Sequence, residues 1–144
     1  MVEDLIMTPR IVDFHAHVAP IEFIEWLDRE ADQLGVSVEW DRRARHFRIG
    51  TGRILELREE LTSLEALVAA QKSAGVTCSV ISPVPTFSLY GSDPSVTALV
   101  ARRCNDSIAS WCRRAPERVI GLGTVPLNDG VLAAEELRRV VRIG

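Results

Sequence analysis

The chain has 144 residues, 47% hydrophobic and 26% charged, with 17 basic against 20 acidic side chains and a net charge of −3. That balance fits a folded globular chain and argues against a disordered tail or a general nucleic-acid binder. No stretch supplies the roughly eighteen continuous apolar residues of a membrane span, and Glu3 and Asp4 stand where a basic leader would be. Cys78, Cys104 and Cys112 form no Cys-x-x-Cys pair, and their odd number argues against a disulfide framework. A reduced, cytoplasmic setting without a membrane or nucleic-acid partner is expected.

Residues 1–9 read as a lead-in, and a first strand is expected from about Arg10 to Val18, broken by Ala19-Pro20. Strict alternation along it puts Val12, Phe14, Ala16 and Val18 on one side and Asp13, His15 and His17 on the other. Two imidazoles about 6 to 7 Å apart along a strand converge on one divalent ion when curvature turns them inward. Asp13 shares that face, where a charge or hydrogen-bonding role suits it better than ligation.

Ile21, Ile24, Leu27, Ala31 and Leu34 recur at helical spacing, and Gly35 supplies the stop. The alternation of Val36 to Trp40 and of His46 to Ile49, across a turn at Asp41 to Arg45, predicts a hairpin insertion over about 36–52. His46 reads as an exposed turn residue, and Arg48 and Arg53 flank the glycines as solvated charges or substrate anchors. Thr62-Ser63-Leu64-Glu65 has the capping-box pattern and opens a helix that closes at Gly75.

Val76 to Ser82 predicts a strand covered on both faces, followed by a loop from Thr86 to Ser92 carrying Phe87 and Tyr90. Asp93 and Pro94 are the N-cap and first position of a long helix whose apolar face is Val96, Leu99, Val100, Cys104, Ile108, Trp111 and Cys112. Val119 to Val125 predicts a third strand, and about Val131 to Arg142 a final helix. Strands alternating with helices call for a parallel sheet with crossovers, an α/β class.

Three blocks carry a resemblance: Asp13-Phe14-His15-Ala16-His17, Gly75-Val76 leading to Ser82-Pro83-Val84-Pro85, and Pro116-Glu117-Arg118 through Leu127. With Asn105-Asp106 and the Ala134 to Arg139 helix they resemble the amino-terminal part of the amidohydrolase-related metal enzymes close to aminocarboxymuconate-semialdehyde decarboxylase. That group also contains aromatic-acid decarboxylases, hydrolases and hydratases. The resemblance covers nearly the whole chain and is weakest from about residue 36 to 60.

The resemblance implies about three β/α units plus the hairpin insertion, the opening part of a metal-dependent (β/α)8 TIM barrel, with residues 1–144 as one partial domain. It implies that His15 and His17 are first-strand ligands of a divalent metal, usually zinc, with manganese or another divalent ion as the alternative. It also implies that an arginine of the hairpin region, here Arg48 with Arg53 as rival, binds a substrate carboxylate. Leu67 and Gln71-Lys72 depart from the pattern, standing where relatives often show an arginine and a Met-Asp pair.

The implied activity is non-oxidative decarboxylation of a small unsaturated or aromatic carboxylic acid; the alternatives are a hydrolase of the same superfamily and a truncated, non-catalytic relative. Catalytic residues and the other metal ligands are expected on later strands, which this sequence lacks, so the isolated chain should show little or no turnover. Self-association or a complementing chain is expected to cover the open sheet.

Overall fold

The computed structural model describes residues 10–143. The lead-in over residues 1–9 and the closing Gly144 lie outside the described residues. Strand β1 (Val12–Val18) lies parallel to β5 (Cys78–Pro83), which lies parallel to β6 (Val119–Gly121), in the order β1-β5-β6. The central strand has its first four residues buried, as a run with no polar face requires.

Between β1 and β5 the chain forms α1 (Ile21–Leu34), β2 (Val38–Asp41), β3 (His46–Ile49), β4 (Leu55–Glu56), α2 (Glu59–Thr62) and α3 (Leu64–Ala74). Helix α1 stops at Gly35, whose φ of +64° is left-handed backbone that glycine adopts without penalty. The expected hairpin is a three-stranded antiparallel sheet, β2-β3-β4. Its third strand has two residues, too few for an alternating pattern to show.

The capping reading shifts by one residue. Thr62 closes α2, and Ser63 is the N-cap of α3, its hydroxyl accepting from the Ala66 amide at 3.3 Å. Asp93 caps the long helix α4 (Pro94–Arg114) as expected, accepting from the Ser95 amide at 2.8 Å.

Helix α4 buries Val100, Cys104, Ile108 and Trp111 against the sheet, whereas Leu99, expected on that face, is exposed. Burial pushes the Cys104 thiol up to about 12, so it remains a neutral packing group. Phe23 of α1 meets Phe87 at 5.0 Å between ring centroids, and Phe87 meets Phe47 of β3 at 6.2 Å, so aromatic packing joins the small sheet to the main layer.

Strand β6 ends at Gly121, four residues before the expected Val125. Beyond it the backbone pairs with a side chain: the Thr124 amide donates to Asn105 Oδ1 and Asn105 Nδ2 donates to the Thr124 carbonyl, both at 2.8 Å. The glycines there serve close approach. A Cβ on Gly121 would lie 2.7 Å from Ile108 Cγ2 and 2.9 Å from Cys112 Sγ. Helix α5 (Gly130–Ile143) then packs on α4 through a buried carboxylate, Glu136.

Candidate metal centre

The centre is built on the second half of β1 and the end of β5. Alternation is interrupted in β1: Asp13 stands beside Ser79, but Ala16 stands beside Ile81, so β1 carries one extra residue between them. Ser79 faces helix α3, where Gln71 Nε2 donates to its hydroxyl at 2.9 Å. Its neighbour Asp13 is therefore on the helix side, and His17, paired with Ser82 three positions along β5, is on the other. The expectation that Asp13 shares the histidines' face fails at this bulge, and Phe14, within it, is 77% exposed instead of joining the oily side. The Asp13 carboxylate accepts from the His15 amide at 3.0 Å, the hydrogen-bonding role that suited it in sequence.

The bulge leaves His15 and His17 converging. Their Nε2 atoms are 3.2 Å apart and the rings meet edge to face at 87°. With metal–nitrogen bonds of about 2.0–2.1 Å, nitrogens at that spacing subtend about 100° at a shared ion, an angle between neighbouring tetrahedral and octahedral positions. Ser82 Oγ lies 3.1 Å from His17 Nδ1, on the far side of that ring. Both strands present these groups at their C-terminal ends. Among the described residues no group of three His, Cys, Asp or Glu side chains converges, so the two imidazoles stand together without a third such side chain.

Arg48 is placed elsewhere. It lies opposite Glu39 in the β2–β3 ladder and donates to both carboxylate oxygens, at 2.5 and 2.6 Å. The cleft it lines, with Asp41, His46 and Ile54, includes neither His15 nor His17. His46 is exposed, as expected, and Arg53 is exposed with no ion pair among the described residues. The feature that the sequence left unassigned is the Ser82 contact; its only signal was the position of a serine where the buried strand ends.

No family model matches the chain. Curated proteins do: the chain is 28% identical over 127 residues to 2-amino-3-carboxymuconate-6-semialdehyde decarboxylase of Caenorhabditis elegans, covering 88% of this chain and 32% of that protein. A 66-residue stretch is 50% identical to gamma-resorcylate decarboxylase of Rhodococcus jostii (strain RHA1), covering 40% of this chain and 20% of that one. The chain matches the amino-terminal portion of the amidohydrolase-related decarboxylases.

The fold agrees. A crystal structure of 5-carboxyvanillate decarboxylase from Novosphingobium aromaticivorans, complexed with manganese and 4-hydroxy-3-methoxy-5-nitrobenzoic acid, superposes with a TM-score of 0.67 at 21% identity. It covers 94% of this chain and 39% of its own. The architecture is thus the opening part of the TIM barrel that these decarboxylases share. The chain spans about a third of the length of the first curated relative. In such barrels chemistry gathers at the C-terminal ends of the strands, the end at which His15, His17 and Ser82 stand.

Proposed function

We propose that this chain supplies the first-strand ligand pair, His15 and His17, of a divalent-metal site in a non-oxidative decarboxylase of a small unsaturated or aromatic carboxylic acid. The observation that carries the reading is the 3.2 Å separation of the two Nε2 atoms, the spacing of two nitrogens on one ion. Similarity to proteins named as decarboxylases supports the reaction class, and the manganese of the 5-carboxyvanillate decarboxylase supports a divalent ion. We take manganese as the first candidate and zinc as the second.

The bound ion would supply Lewis-acid polarisation of a substrate oxygen. The chain's own part is to aim two neutral imidazoles from a rigid strand end. A substrate carboxylate needs a cation, and Arg48 and Arg53 are the two candidates. Arg48 is already neutralised by Glu39 and would have to exchange that partner, whereas Arg53 is free of ion pairs among the described residues. Two imidazoles leave the remaining coordination positions and the proton-moving step to groups other than this pair. The three cysteines are free thiols and suit a reducing cytoplasm.

The test is carboxylate binding followed by ligand-observed NMR, with 2,6-dihydroxybenzoate as probe and manganese present or absent. Binding should require manganese and vanish in His15→Ala, His17→Ala. Equal binding without the ion, or by the double variant, would contradict the proposal. Carbon dioxide release by the isolated chain should be negligible; turnover abolished by His15→Ala would show that these residues suffice.

A further inference from the structure

We propose that Ser82 is the positioning residue that fixes the ring state of His17, an inference that rests on the metal-centre reading above. A histidine binds a cation through one unprotonated nitrogen, and the hydrogen bond made by the other nitrogen decides which is free. His17 Nε2 faces His15, so a ring that binds a shared cation there carries its proton on Nδ1. The group next to Nδ1 is the Ser82 hydroxyl, at 3.1 Å, and a hydroxyl oxygen has lone pairs to accept that N–H.

Register makes the contact a fixture of the sheet. His17 and Ser82 are direct partners in the β1–β5 ladder, on the face opposite the helices, and both are half-buried. The bulge between Asp13 and Ala16 sets this pairing: without the extra residue His17 would stand beside Pro83, whose side chain has no group to accept a proton. With the proton of His17 on Nδ1, its Nε2 lone pair would be the acceptor in the 3.2 Å contact with His15 Nε2, the place a cation would take. Ser82 touches neither the ion nor the substrate; it acts through His17.

The experiment compares Ser82→Ala and Ser82→Thr with the wild-type chain. One readout is the His17 ring tautomer in the metal-free protein, from nitrogen-15 NMR. The other is manganese affinity by calorimetry. Wild type and Ser82→Thr should hold His17 mainly as the Nδ1–H form. Ser82→Ala should lose that preference and bind manganese about 10- to 100-fold more weakly, the usual cost of removing an outer partner of a ligating histidine. An Nε2–H ring in the wild type, or an unchanged tautomer in Ser82→Ala, would overturn the proposal, as would unchanged affinity in Ser82→Ala. A wild-type chain that binds no manganese but loses the Nδ1–H form in Ser82→Ala would overturn the metal reading and leave the positioning role standing.

Discussion

Asn105 Nδ2 donates to Glu136 Oε1 at 2.7 Å, joining α4 to α5 through two buried polar side chains. Arg139 completes the arrangement, donating to both Glu136 oxygens at 2.8 Å and to Asp106 at 2.6 Å. Burial alone would disfavour the Glu136 charge, but the Arg139 and Asn105 hydrogen bonds together with the Arg139 and Arg102 charges outweigh it and hold the carboxyl below its ordinary value of 4.5. Removing the carboxylate leaves Arg139 with Asp106 as its acidic partner and one buried Asn105 N–H without its acceptor. Glu136→Ala should cost about 3 kcal/mol in urea unfolding.

The same carboxylate sets a pH dependence. Because its folded value is depressed, its contribution is complete above 4.5 and is lost as pH falls through the lower folded value. The urea midpoint should therefore drop below pH 4.5, and that part of the slope should be absent in Glu136→Gln. An identical acid slope in the variant would remove Glu136 from the account.

Gly121 is required by contact. Its added Cβ would meet Ile108 and Cys112, both on α4, under 3.0 Å. Gly121→Ala should destabilise by about 1–3 kcal/mol, the usual cost of overpacking, and it should cost less in an Ile108→Ala background, which removes the Cγ2 that the new methyl would meet. Thermal unfolding of the single and double variants measures both effects.

The sequence made the helices readable because their signals are local: Gly35 and Gly75 stop α1 and α3, and Asp93-Pro94 starts α4. The His15–His17 pair was readable for the same reason. What escaped depends on partners far along the chain. Whether Asp13 shares the histidine face is decided by one extra residue against β5, some 65 positions away, and the role of Ser82 by the same register. Where β6 ends is decided by Asn105 on α4, which takes over the backbone pairing at Thr124. Leu99 obeys the helical period yet is exposed.

Glu39 and Arg48 face each other across the ladder, an exposed pair worth at most about 1 kcal/mol. If Arg48 is the carboxylate anchor, Glu39→Gln frees it and should strengthen manganese-dependent binding of 2,6-dihydroxybenzoate several-fold, while Arg53→Ala changes little. The reverse pattern, measured by the same NMR titration, would move the role to Arg53.

Ile120 and Leu122 are half exposed on and beside β6, and Phe14 and Ile11 are exposed on and beside β1, so apolar side chains accompany both outer strands of the described sheet. Light scattering should show concentration-dependent self-association, reduced by Ile120→Glu with Leu122→Glu. A concentration-independent monomer would argue against an uncovered sheet.

Manganese binding by the purified chain at neutral pH, against the His15→Ala, His17→Ala double variant, tests the central claim most directly. The account predicts one ion per chain, weakly held because the described residues offer two convergent nitrogens, and no binding by the variant. Equal manganese binding by both proteins, or none by either, would contradict the assignment of His15 and His17 as a ligand pair.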